Sequence, residues 1–197
     1  MALSLSGHHG KWTVDDVRKL PEDEFHRYEI DDGVLIVSPR PSSPHQAASY
    51  RITRLLDDAI GAAGLDLAVI QEVDTITGQR GDWLKVPDVL VVTGDAFDAE
   101  PQEYDVADVV LAVEISASKQ SRNRDFGEKL HAYAEAGIKD YWIFELQPEP
   151  KLTAFALAGG SYKEIAVSSS LIHLTRPFPI DVDPPQLLKR RTNARAK

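Results

Sequence analysis

Two short apolar runs, each interrupted by one carboxylate, constrain this chain most. The first reads Val86-Pro87-Asp88-Val89-Leu90-Val91-Val92, and the second reads Val109-Val110-Leu111-Ala112-Val113-Glu114-Ile115-Ser116. Both are the length and composition of buried strands. An ionised carboxylate is costly to bury without a partner. Two acids placed in this way point to a shared partner, and a divalent cation is the obvious candidate. Period two puts Asp88, Leu90 and Val92 on one face of the first strand and Val89 and Val91 on the other. Glu114 lies near the carboxyl end of the second strand, where open sheets gather their sites.

The residues that follow add a helix, expected from about Arg122 to Ala136, burying Phe126, Leu130, Tyr133 and Ala134. Asp125 and Lys129 are four apart on it. On spacing alone a surface salt bridge between them is the simpler reading; the sharper one leans Lys129 over the acid pair. Lys119, Arg122 and Arg124 form the best local candidate for contacting an anion, such as a nucleic-acid phosphate.

Upstream, Thr13 is placed to cap a short helix over Val14 to Leu20, with Asp15 and Asp16 in its first turn. Residues 25–38 read as a hairpin turning at Asp31-Asp32-Gly33. Glu29 in its first arm is either a strand-face acid near the turn or a third acid facing the metal. A helix from about His45 to Gly61 carries a stripe of Ala48, Ile52, Leu55, Leu56, Ala59 and Ile60. His45 in its first turn fits a cap, a surface residue or a site residue. Arg51 and Arg54 lie on its polar face. Leu67 to Thr77 is expected as one strand, and Trp83 to Val92 as another. Residues 93–107 form an acidic connection. Tyr141 to Leu146 is a strand, and Lys151 to Leu157 with Tyr162 to Val167 a second hairpin. Leu171 to Leu174 and Phe178 to Val182 are short extended pieces.

These elements predict an α+β fold: a mixed sheet of about six to eight strands flanked by two main helices. Residues 13–185 are expected to form one domain, with a flexible tail over residues 1–12 and a basic tail over residues 186–197.

Composition narrows the function classes. The 197 residues include no cysteine, which excludes disulfides, zinc–thiolate sites and thiol nucleophiles, and fits a cytoplasmic location. No apolar run approaches a membrane span. The net charge of −9 repels polyanions at long range, so a nucleic-acid ligand requires a local basic patch or a metal. Neither a P-loop, a Gly-x-Gly-x-x-Gly motif nor a Gly-x-Ser-x-Gly elbow is present.

The ordered run Pro87-Asp88, Glu114-Ile115-Ser116-Ala117-Ser118, Asp125-xxx-Lys129 and Tyr133-Ala134-x-Ala136-Gly137-Ile138-xx-Tyr141-Trp142-Ile143 resembles the Uma family of restriction-endonuclease-like proteins, within the PD-(D/E)XK nuclease superfamily. Tyr28-Glu29-Ile30-Asp31-Asp32-Gly33, Ser38-Pro39 and His45 resemble the family's N-terminal pattern. The likeness spans roughly residues 13 to 182. It implies a restriction-endonuclease-like core, Mg²⁺ or Mn²⁺ as cofactor, DNA as the nucleic-acid substrate, and a homodimer. By that likeness Asp88, Glu114 and Lys129 are the catalytic residues, Asp88 and Glu114 the metal ligands, and Glu29, His45 and Asp125 auxiliary. One departure stands out: the superfamily's lysine two positions after the second acid is Ser116 here, and Lys129 supplies the cation from the next helix. The rival expectations are an inactive nuclease fold serving as a binding or regulatory module, and a structural homodimer whose acids are paired with basic side chains.

Overall fold

The structure, a computed structural model, describes residues 8–21, 23–77 and 80–189. Helix α1 (Val14–Arg18) starts at Thr13, whose hydroxyl and the Asp16 carboxylate close a reciprocal cap. Strands β1 (His26–Asp31) and β2 (Val34–Pro39) form the expected hairpin. Its two turn residues, Asp32 and Gly33, have φ of 48° and 77°, the left-handed pair that matches strand twist. Helix α2 (Ser43–Ala63) buries Ala48, Ile52, Leu56 and Ile60 and is capped by Gly64 at φ 63°.

The next two expected strands are each divided between sheets. Leu67 to Thr77 becomes β3 (Leu67–Gln71) and β4 (Thr75–Thr77), separated where Glu72 takes φ 50°. Trp83 to Val92 becomes β5 (Arg80–Lys85) and β6 (Val89–Thr93). Asp88 therefore stands in the link before β6 rather than inside a strand. Pro87, which has no N–H to give a ladder, marks that break.

The acidic connection folds as helix α3 (Gly94–Asp98), strand β7 (Tyr104–Asp105) and a 3-10 turn, Val106–Asp108. Strand β8 (Val109–Ser116) is followed by helices α4 (Lys119–Asp125) and α5 (Glu128–Ala136). The single helix expected over Arg122 to Ala136 is thus two, broken at Gly127, which has φ −115° and ψ −93°. A Cβ on Gly127 would meet the Asn123 carbonyl oxygen at 2.8 Å. Gly127→Ala is expected to cost about 1–3 kcal/mol, the range for forcing extra volume into a packed site, read as a lowered midpoint of urea unfolding.

The chain closes with β9 (Asp140–Glu145), β10 (Lys151–Ala158), β11 (Ser161–Ser168), β12 (Ile172–Leu174), β13 (Ile180–Val182) and α6 (Pro184–Leu188). Residues 186–188, read from sequence as the start of a basic tail, are helical, and Leu187 packs into the core. Residues 190–197 lie outside the described residues, as do residues 1–7 of the expected N-terminal tail.

Among the described residues the strands make a six-stranded sheet in the order β11-β10-β9-β8-β6-β3, a five-stranded sheet in the order β2-β1-β5-β4-β7, and the pair β12-β13. Strand β8 is central, antiparallel to β6 and parallel to β9. Its two faces do different work. Val89, Val91, Leu111, Val113 and Ile115 pack with the α2 stripe and α6, while Leu90, Val92 and Ala112 pack with Trp83, Tyr133 and Tyr141. The alternation read from the sequence therefore predicts the two sides of this sheet correctly. It places Glu114 on the side covered by α5.

Candidate functional site

The β6–β8 register pairs Val89 with Val113, so one residue further out Asp88 faces Glu114. Both sit where the six-stranded sheet meets the hairpin. Strand β1 brings Glu29 from the other sheet, α2 brings His45, and α5 brings Lys129. All five side chains are buried, and with Asp125 they line one cavity of about 330 Å³.

Each acid is held by a defined set of donors. Asp88 Oδ1 accepts from Arg27 Nη1 at 3.0 Å. Its Oδ2 accepts from His45 Nε2 at 2.9 Å and from the Ile115 backbone N–H at 2.7 Å. Glu114 Oε1 accepts from Lys129 Nζ at 2.8 Å and from the Tyr133 hydroxyl at 2.6 Å. Glu29 Oε1 accepts from the Val86 N–H at 3.1 Å and lies 3.0 Å from Lys129 Nζ. Lys129 thus bridges Glu29 and Glu114, one from each sheet. Asp125 instead accepts from the Ser116 hydroxyl at 2.5 Å. Ser116 thus positions an acid.

Burial and charge act in opposite directions across this group. Burial raises Glu114, and Asp88, Asp125 and Glu29 add to it against the pull of Lys129, so its carboxyl is pushed up to about 8. Burial also works against ionised Asp88, but the His45 hydrogen bond and charge, then Arg27 and Lys129, hold it well below the usual carboxylate range. Burial opposes ionised Glu29 too; Lys129 and the Val86 N–H outweigh it and lower its pKa. Lys129 is disfavoured by burial, yet Glu114, Glu29 and Asp125 hold its pKa far above the ordinary value, so it remains an ammonium. Asp125 is raised, chiefly by burial. The result is acids with separated proton affinities around one fixed cation.

The expected basic contacts divide. Arg124 lines the cavity and donates from Nη1 to the Ser38 hydroxyl at 2.8 Å. Arg122 turns away to Glu145, with its guanidinium 4.5 Å from the Phe126 ring centre. Lys119 is exposed and does not line the cavity. Arg51 donates to the Leu187 carbonyl, and Arg54 lies 4.0 Å from Asp58. The surface Asp125–Lys129 salt bridge is not formed: both side chains are buried, and each has a different direct partner. The break at Gly127 separates them onto two helices.

Arg27 and Tyr133 are the site residues the sequence reading missed. Arg27 had a signal, since it stands two residues before Glu29 and so shares its face of β1. Tyr133 was assigned only to the buried stripe; nothing in that pattern marks where its hydroxyl ends.

The donor chemistry suits a hard divalent cation. Asp88 and Glu114 offer carboxylate oxygens to one cavity, and Mg²⁺ commonly takes one or two carboxylates while keeping several waters. Among the described residues, no group of three His, Cys, Asp or Glu side chains is arranged to hold a metal by itself.

The mixed sheet thus carries buried acids beside β6 and near the end of β8, with Lys129 among them. The family model described as "Putative restriction endonuclease" (Uma2) matches residues 14–186. The chain belongs to that family. Its fold is similar to the crystal structure of a "putative nuclease belonging to DUF820" from Anabaena variabilis, with a TM-score of 0.65 and 16% identity over 89% of this chain and 97% of that one. No curated protein matches the sequence. Among the described residues, no helix is long and apolar enough to cross a membrane.

Proposed function

We propose that the protein is a metal-dependent nuclease that hydrolyses phosphodiester bonds of nucleic acid, DNA being the substrate the family description implies. The observation that carries this reading is the convergence of Asp88, Glu114 and Lys129 on one cavity, with Lys129 2.8 Å from Glu114. Asp88 and Glu114 would hold Mg²⁺ or Mn²⁺. When bound, the ion lowers the pKa of a water and neutralises charge on the phosphate.

The chain's own residues supply the rest. Lys129 presents a fixed ammonium to the oxygens that gain charge as the phosphate is attacked. Glu29 shares Lys129 with Glu114 and so fixes where that ammonium points. Arg27 and His45 orient Asp88 from two sides, and the Tyr133 hydroxyl fixes Glu114.

A second reading, a nuclease fold that binds or regulates without cutting, has one specific observation in its favour. Both oxygens of Asp88 are already engaged by protein donors. Mn²⁺ titration by calorimetry separates the two, on wild type and on Glu114→Ala, with circular dichroism to show both folded. Binding by wild type and none by Glu114→Ala is expected, together with cleavage of oligonucleotides by wild type alone. Absence of binding by wild type, even with an oligonucleotide present to complete the shell, would overturn the metal-dependent reading. Full cleavage by Glu114→Ala would do the same.

A further inference from the structure

We propose that a second cavity, at the opposite end of the central strand, binds an aliphatic polyamine. It measures about 900 Å³, toward the upper end of the range for small-molecule pockets. It lies against Val109 and Val110 at the start of β8, whereas the acid cavity lies against Glu114 and Ile115 near its end. The two cavities share no lining residue. Binding here is therefore independent of the nucleolytic reading, and either can fail without the other.

Charge selects a cation. Asp105, Asp108, Glu135 and Asp140 line the space together with Lys139 and Arg176. Arg176 and Asp140 satisfy each other: Nε and Nη2 donate to the two carboxylate oxygens at 2.8 and 3.1 Å. That leaves three carboxylates against one ammonium. Asp105 gives one oxygen to the Ala107 N–H at 2.8 Å and has a second to offer. Glu135 has the exposed His131 beside it at 3.3 Å. Ala136 and Gly137, at the end of α5, also line the cavity, and a helix C-terminus carries partial negative charge.

Shape selects a long amphipathic cation over a metal ion. The acids come from separate elements: Asp105 from β7, Asp108 from the 3-10 turn and Glu135 from α5. Apolar side chains, Val106, Val109 and Pro177 among them, fill out the lining. Among the described residues, no three His, Asp or Glu side chains are grouped to hold a metal. Methylene links can lie along apolar surface while the charged groups they join reach separate acids. Trp83, 2% exposed, forms part of the lining, and indole is the best aromatic partner for an ammonium. Thr77, on the strand paired with that of Trp83, lines the cavity too. Its buried hydroxyl oxygen has no hydrogen-bond partner among the described residues, which leaves an acceptor open for an N–H donor.

The test is calorimetric titration of the full chain, stripped of metal, with spermidine near pH 7. Salt is held at about 0.1 M, where charges farther apart than about 10 Å are largely screened. Wild type should bind. Asp105→Asn combined with Asp108→Asn should weaken binding about fivefold or more, and asparagine keeps an oxygen for the Ala107 N–H. Asp57→Asn combined with Asp58→Asn removes the same charge from the exposed face of α2 and should leave the affinity unchanged. Spermidine should also alter tryptophan emission in wild type and not in Trp83→Phe, since Trp12 and Trp142 do not line the cavity. Circular dichroism shows each variant folded. No binding by wild type, equal weakening by the two double variants, displacement of spermidine by equimolar Mg²⁺, or an emission change that persists in Trp83→Phe would each overturn the proposal.

Discussion

Lys129→Met is expected to lower the free energy of unfolding by about 3–5 kcal/mol near pH 7, the cost of leaving buried charge without its partner. Methionine roughly keeps the volume but removes the ammonium that lies 3.0 Å from Glu29 and 2.8 Å from Glu114. Glu29 and Glu114 then share a dry space with Asp88 and Asp125 close by, and the cations left to offset them are Arg27 at Asp88, Lys85 near Glu29 and Arg124 near Asp125. Urea unfolding checks this directly. The loss should shrink as pH falls toward 4, because carboxyls that take up protons no longer need the cation. A loss below about 1 kcal/mol, typical of exposed pairs, would show that Lys129 is not the keystone cation of the site.

Glu114→Gln should have the opposite sign and a different pH profile. The Glu114 carboxyl is pushed up to about 8 in the folded protein, by burial first and by Asp88, Asp125 and Glu29 against Lys129, while its ordinary value is 4.5. Between those two values the unfolded chain releases this proton and the folded chain keeps it. The folded state then binds more protons, so stability falls as pH rises through that window, by up to about 1.4 kcal/mol per unit for this one group. Asp88 and Glu29 act in the other direction, since both are lowered in the folded state. Their contribution is present above the ordinary carboxylate range and is lost as pH falls through their folded values. Glutamine still accepts from Lys129 and Tyr133 but cannot ionise. Wild type and Glu114→Gln should therefore be similar near pH 5, and the variant should be more stable by a few kcal/mol near pH 8. Thermal unfolding at the two pH values gives the answer; parallel curves would show that Glu114 is not the proton-retaining acid.

Much of this site was legible because buried strands so rarely carry acids. Asp88 and Glu114 stood out from their apolar neighbours before any geometry was known. Strand alternation also assigned Val89 and Leu90 to opposite sides of the sheet. The sheet crossings were not legible in the same way. The pattern from Leu67 to Thr77 stays compatible with extended chain throughout, and periodicity does not report which partner a strand will choose. Pro87 was a sign of the crossing beside Asp88, and Gly127 was a sign of the helix break, but each is one residue in a run that otherwise favours continuity. The role of Lys129 came from family resemblance, because spacing alone favoured a surface pair with Asp125. Long-range partners such as Arg27 with Asp88 depend on two sheets meeting, a relation no local window contains.

The crossings at Glu72 and Pro87 send the chain back and forth between the two sheets, and the acid cluster lies along that seam. Arg27 and Glu29 belong to one side, Asp88 and Glu114 to the other, and Lys129 joins them. The cluster is therefore complete only when both sheets are in place. A chain that has formed only its six-stranded half has Asp88, Glu114 and Lys129 but lacks Arg27 and Glu29, which hold Asp88 and Lys129 from the other side.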